Sequence, residues 1–329
     1  ERFIRNAYKQ IKQNMKRNSK IVFVSTAPPT QCGIATYTHD LMTAIGEIYA
    51  DLECVVCNLT ETSVPKLKGS FTLHYEDKED YRRVAEDINK DDAVKLVHIQ
   101  HEFGLFGGLY GDYLLELLDH LKKPVVFTFH SVIPHPAKEI KNLVTLLASY
   151  ASIVFAMTRE SKNILENVYV IPEQKIVRLP HGTHNTIYEE TFEIKKKLGF
   201  ENHKLLTTFG LLSRGKSIET ALNALPNIIA HFPQVLYLVI GKSHPKNILN
   251  GIDPYRIFLE NKVKEMELDD HVIFIDRYLD LPELLEYLKA SDLYLFTSKD
   301  PNQAISGTFA YAMSCACPIV ATSIPHTRE

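Results

Sequence analysis

Five short stretches of the chain combine residue types whose spacing suits the handling of an anion or a sugar. The first runs Ser25-Thr26-Ala27-Pro28-Pro29-Thr30-Gln31-Cys32-Gly33-Ile34-Ala35 and bridges an apolar run and a helical pattern. Gly33 opens that helix, where free N–H groups and the helix dipole favour an anion such as a phosphate. An ordinary strand–helix turn fits the same letters. No G-x-G-x-x-G is present there, which tells against a dinucleotide oxidoreductase. The second stretch is Phe129-His130-Ser131. His130 ends an apolar run, and such a histidine is either structural or a hydrogen-bond donor to a sugar hydroxyl. The third, His98-Ile99-Gln100-His101-Glu102 with Phe103-Gly104-Leu105-Phe106-Gly107-Gly108 behind it, joins polar groups to backbone freedom. His98, His101 and His130 lack any recognised ligand spacing, so no metal is expected.

The fourth stretch is Gly210-Leu211-Leu212-Ser213-Arg214-Gly215-Lys216-Ser217. A lysine flanked by glycine ahead of a helix suits a phosphate. The letters also satisfy G-x-x-x-x-G-K-[ST], and Asp276 at the end of HVIFID stands where a Walker B acid would. An NTPase is therefore a competing reading. The fifth runs from Asp300 to Met313, DPNQAISGTFAYAM, and opens another helix. Its small residues leave amides accessible to a diphosphate, and Ser306 and Thr308 add hydroxyls.

The elements that carry these stretches alternate along the chain. Apolar, β-branched runs occur at 21–27, 53–59, 94–100, 124–130, 152–157 and 175–180. Helical patterns separate them at 34–49, 79–89, 110–121, 137–150 and 159–167. Runs apolar at successive positions are strands covered on both faces, and their alternation with helices predicts a parallel sheet. THNTIYEETFEIKKKLGFENH then reads as a connection. The alternation restarts with runs at 204–211, 235–241, 271–276, 292–298 and 317–322, and helices near 217–231, 254–267, 281–290 and 305–315. Ligands of such sheets bind beyond the carboxyl ends of the strands, where all five stretches lie. With two such domains, the crevice between them is the expected site. The second sheet stops just past its fifth strand, so the C-terminal domain is expected to be incomplete.

Residues 1–20 form a separate unit. Ile4, Tyr8, Ile11 and Met15 share one helical face among seven Lys or Arg. The helix either docks on its own domain or touches anionic lipid headgroups. Bulk properties are those of a soluble globular protein of 329 residues, 45% hydrophobic and 23% charged. A net charge of -3 gives no global attraction to nucleic acid. Cysteines 32, 54, 57, 315 and 317 are odd in number. Buried structural thiols and a reducing cytoplasm are expected.

In this order, the pieces resemble glycosyltransferase family 4, retaining nucleotide-sugar transferases of GT-B fold. The resemblance covers nearly the whole chain from residue 21. APPTQCGIATYTHDL is similar to the family's N-terminal glycine loop and TFHSV to its donor-side histidine segment. LPHGTH sits where the family crosses between domains. FGLLSRGKSIETAL is similar to the phosphate-clamp loop, which reassigns the Walker-like letters. SKDPNQAISGTFAYAMSCACPIVAT is similar to the donor-binding helix.

The resemblance implies an α/β, GT-B architecture of two Rossmann-like parallel-sheet domains facing across a cleft. An acceptor domain would span 21–190 and a donor-binding domain 191–329. It implies a hexosyltransferase, mannosyl or glucosyl, acting on a glycan or lipid-linked acceptor in polysaccharide assembly. His130, Lys216 and Gln303 would carry catalysis. Gly33, Arg214, Ser306, Gly307, Thr308 and Tyr311 would bind the donor, with His101 and Glu102 on the acceptor side. No cofactor or metal is implied. The protein would be cytoplasmic, with peripheral membrane contact through residues 1–20. Two positions depart from the family. Leu211 stands where its clamp arginine is usual, which leaves Arg214 to stand in. Gln303 and Tyr311 replace its two glutamates, the first facing the donor sugar and the second the ribose. A phosphate-using phosphorylase and a non-catalytic partner of the same fold are the alternatives.

Overall fold

The computed structural model describes residues 19–62, 70–243, 248, 251–300 and 303–329. The chain divides into two compact units, Glu1–Pro180 and His181–Glu329. The expected N-terminal helix falls on residues 1–18, outside the described residues. Ser19 and Lys20, placed with that helix by sequence, instead begin the first strand.

The first unit runs β1 (Ser19–Ser25), α1 (Gly33–Ile48), β2 (Leu52–Thr60), β3 (Phe71–His74), α2 (Lys78–Lys90) and β4 (Val94–His101). It continues with α3 (Leu114–His120), β5 (Val125–Phe129), α4 (Lys138–Tyr150), β6 (Ile153–Ala156), α5 (Arg159–Asn167) and β7 (Ile176–Arg178). The seven strands order as β3-β2-β1-β4-β5-β6-β7, each pair parallel. Every residue of β5 is buried, and β1 is buried at all but one position. That is why these segments read as unbroken apolar runs. Strand β3 was not expected. It is a four-residue edge strand, too short to display a period.

The second unit runs α6 (Thr191–Leu198), β8 (Lys204–Phe209), α7 (Ile218–His231), β9 (Val235–Ile240), α8 (Pro254–Glu265) and β10 (Val272–Ile275). Then come α9 (Leu281–Ala290), β11 (Leu293–Phe296), α10 (Gly307–Ser314) and β12 (Ile319–Ala321). The strands order as β10-β9-β8-β11-β12, all parallel. Helix α6 corrects the reading of 183–203 as connection throughout. It buries only Ile194 and Lys195, so it shows no apolar stripe, and Gly199 in the left-handed region ends it. Lys195 is held there by the carboxylate of Asp292 and the carbonyl of His203.

Both sheets reverse strand order beside their first strand, between β1 and β4 and between β8 and β11. A doubly wound sheet binds ligands at such a reversal, beyond the carboxyl ends of its strands. All five cysteines are free. Among the described residues no helix is long and apolar enough to cross a membrane.

Candidate functional site

In the second unit the reversal lies between the loops that leave β8 and β11. Gly210 ends β8 with φ +117, and Gly241 ends β9 with φ +127. Both conformations favour glycine. A side chain on Gly241 would also strike the carbonyl oxygen of Gly210, its Cβ only 2.2 Å away. The two strand ends therefore lie against each other with no side chain between them.

Past Gly210 the chain makes a tight turn over Arg214–Lys216, and Ser217 enters the left-handed region at φ 48 before α7 begins. This turn folds Lys216 back over the strand end, where its Nζ donates to the carbonyl of Phe209 at 3.3 Å. Burial lowers the ammonium from 10.5 to about 8. No carboxylate offsets that penalty among its causes.

The loop after β11 is tied to this turn. Thr297 Oγ1 donates to the Lys216 carbonyl at 2.7 Å, and Lys299 N donates to the Gly215 carbonyl at 3.1 Å. Ser298 Oγ shares its hydrogen between Gly215 O at 3.1 Å and Gln303 Oε1 at 2.6 Å. Gln303 is thus anchored to the clamp turn through one serine.

Helix α10 starts beside them. Ser306 caps it, its Oγ accepting from Phe309 N at 3.4 Å and lying 3.0 Å from Thr308 Oγ1. The Ser306 amide is consumed, because it donates to His326 Nδ1 at 3.0 Å. Burial lowers His326 to about 4, so it stays a neutral acceptor. The expectation that the Ser306 amide serves a diphosphate is corrected accordingly. Gly307 and Thr308 supply the first N–H groups of the helix.

The decisive geometry is where Lys216 and α10 meet. A Cβ built on Gly210 would stand 2.9 Å from Lys216 Nζ and 3.0 Å from Thr308 Cγ2. The ammonium and the first turn of α10 therefore converge on one spot above Gly210. A positive charge and a helix N-terminus meet there, as an anion requires.

Tyr311 lies one turn farther along α10. Its ring stacks on Phe209 at 6.2 Å and meets the edge of His184 at 5.2 Å. Arg214 turns elsewhere. Its guanidinium lies 5.6 Å from the Tyr255 ring centre and 5.8 Å from that of Phe258, both on α8. It is engaged in a cation–π contact rather than standing beside Lys216.

In the first unit Gly33 is the first residue of α1, and a Cβ there would meet nothing within 4 Å. Cys32 caps the helix through Sγ, which accepts from Ala35 N at 3.3 Å. His130 is buried after β5. Its Nε2 faces Gln100 Oε1 at 2.8 Å, and Tyr37 meets it edge-on at 5.0 Å. Glu102 accepts from Ser131 Oγ at 2.6 Å and from Phe103 N at 2.8 Å. His101 is corrected from the acceptor side to the core. It is 0% exposed, ringed by Phe103, Phe106, Phe127 and Phe129, and burial drives it down to about 3.

Thr297, Ser298, His326, His184 and Gln100 carried no role in the sequence reading. Small hydroxyl residues just past strand β11 were the available signal for the first two.

Two family models match, one in each unit. Residues 33–185 match Glycosyltransferase Family 4, and residues 203–329 match Glycosyl transferases group 1. No curated protein matches the chain. Among solved structures, Anabaena HepE in complex with UDP and glucose is similar at 17% identity and TM-score 0.68, over 94% of this chain and 82% of that one. Sucrose-phosphate synthase from Thermosynechococcus elongatus is similar at 16% identity and TM-score 0.72, over 93% and 82%. A UDP-forming trehalose-phosphate synthase from Burkholderia xenovorans is similar at 13% identity and TM-score 0.62, over 90% and 81%. The fold is that of GT-B glycosyltransferases, and the two domain matches support a glycosyltransferase.

Proposed function

We propose that this glycosyltransferase fold moves a hexose from a nucleotide-diphosphate donor to a glycan or lipid-linked acceptor, with retention of configuration. The observation that carries the reading is the convergence of the Lys216 ammonium and the α10 N-terminus above Gly210. The UDP-bound state of the similar Anabaena protein supports the choice of donor class.

Catalysis consists of positioning and of stabilising the charge that grows on the departing diphosphate. Lys216 and the Gly307 and Thr308 amides supply that stabilisation. The ammonium is part-buried, which strengthens its field on a phosphate oxygen. Gln303 holds a donor-sugar hydroxyl through its carboxamide while Ser298 fixes its orientation. Tyr311 packs against the nucleoside. No carboxylate nucleophile and no metal are called for in this scheme.

The test is calorimetric titration with UDP-, GDP- and ADP-hexoses, followed by NMR assignment of the product anomer. Binding of one donor class and a product of unchanged anomeric configuration are expected. An inverted product removes the retaining step. No binding of any nucleotide-sugar, alongside turnover with inorganic phosphate, makes the chain a phosphorylase instead.

A further inference from the structure

A helix leaves its first four N–H groups without partners inside the helix, and those groups must bond elsewhere. In α10 they belong to Ser306, Gly307, Thr308 and Phe309, and they are satisfied unequally. Ser306 Oγ accepts from Phe309 N at 3.4 Å, and His326 Nδ1 accepts from Ser306 N at 3.0 Å. Among the described residues nothing takes the amides of Gly307 and Thr308. The two that remain are adjacent, and they open the helix where Lys216 Nζ approaches it.

Both roles in the His326 bond are fixed. A backbone amide only donates, so Nδ1 is the acceptor and the neutral ring carries its hydrogen on Nε2. In a capping box the N-cap amide is satisfied from within the helix, by a Glu or Gln at the third position. That position in α10 is Phe309, which has no polar group, so the acceptor comes from outside the helix. It comes on a segment pinned to β11. Thr322 N donates to Phe296 O at 2.9 Å, and Thr322 Oγ1 donates to the Ser298 carbonyl. Thr327 Oγ1 closes the turn that follows, accepting from Ile324 N at 3.0 Å and donating to Thr322 O at 2.9 Å. Pro325 is buried in the same turn, and the Phe309 ring meets His326 edge-on at 5.0 Å. The end of β11 also holds the clamp turn, through Thr297 and Ser298. Lys216 and the start of α10 are therefore referred to one strand end, the helix by way of His326.

We propose that His326 is a positioning residue, which occupies the Ser306 amide and so aims the Gly307 and Thr308 amides at the anion that Lys216 holds. The cap stands on the geometry alone; its use on a diphosphate rests on the function proposed above. His326 acts through the helix and touches no part of the donor in this scheme.

The cap is tested first, without any donor. Two-bond 1H–15N correlation of the full chain labelled with 15N-histidine should show His326 as the Nε2–H tautomer, the residue being assigned by its loss in His326→Asn. This reading needs no leucine variant to fold. Amide hydrogen exchange should quicken at the start of α10 in His326→Leu and not in His326→Asn, because the asparagine Oδ1 can stand close to where Nδ1 stood. A native Nδ1–H pattern, or exchange unchanged in His326→Leu, overturns the cap. The positioning role is then tested by calorimetric titration of the three proteins with UDP, GDP and ADP. His326→Leu should bind the nucleoside diphosphate at least about fivefold more weakly, the scale of losing a helix cap, and His326→Asn should stay within about twofold of the native protein. A merely structural His326 would lower the melting transition and leave the affinity of the folded protein unmoved, which overturns the positioning role. The expected tautomer and exchange in a native protein that binds none of the three nucleotides would instead overturn the donor site itself.

Discussion

Both units leave their first strand through a glycine on the way to a helix, and the two glycines live in different surroundings. Gly33 begins α1 with open space on the side where a Cβ would sit. Gly210 ends β8 with φ +117, and the same added atom would press on Lys216 Nζ and Thr308 Cγ2. One glycine is a convenience of the turn, whereas the other is what lets a lysine and a helix end share one space. The contrast teaches that a glycine loop becomes a site when distant groups are brought onto it.

The largest expected effect comes from the lysine. Lys216→Ala should lower turnover by at least about a hundredfold, the scale of removing one charge-stabilising donor. Circular dichroism and the melting transition should be retained, and near-normal turnover would remove Lys216 from the proposed chemistry. Gly210→Ala should come next. It forces a left-handed alanine, which costs about 1–3 kcal/mol of stability. It also displaces the ammonium, so turnover should fall well below native in steady-state assays.

Lys216 also links the site to stability. Its folded pKa is about 8 against an ordinary 10.5. A base whose pKa is depressed by folding penalises the folded state while it is charged. The penalty is full below pH 8, about 3 kcal/mol, and fades as pH rises to about 10.5. Lys216→Met should therefore be more stable than the native protein in urea unfolding at pH 7, and the gain should shrink toward pH 10.5. Equal stabilities at pH 7 would mean the ammonium is well solvated. The same titration predicts that donor affinity in calorimetry weakens as pH rises above about 8, because the site loses its charge.

The smallest effect is expected at Gly33. Gly33→Ala should leave stability unchanged or raise it by up to about 1 kcal/mol, since the position has room and the unfolded chain loses freedom. Its turnover should fall by a smaller factor than that of Gly210→Ala. A Gly33→Ala protein as destabilised as Gly210→Ala would erase the contrast between the loops.

The alternation of strands and helices was legible because parallel strands are buried on both faces and their helices on one. The run PVVFTFH becomes the fully buried β5, and helix 159–167 falls where its pattern lies. Elements with little to bury stayed hidden. Helix α6 anchors through Ile194 and a salt-bridged Lys195, and β3 is four residues at a sheet edge. The polar letters HIQHEF suggested a strand end leading into a loop with His101 on the acceptor side, yet four phenylalanine rings enclose His101.

The sequence by itself determined two parallel-sheet halves and the stretches standing at the ends of their strands, because local periodicity is set by which face each residue buries. Only the tertiary structure decided which of those stretches meet. Lys216 and Thr308 are far apart along the chain, and it is the pairing of β8 with β11 that draws their loops together. Arg214, two residues from Lys216, is drawn the other way by the rings of α8. Proximity in the chain fixes neither direction nor partner, since side chains settle where packing and charge in the folded protein favour them.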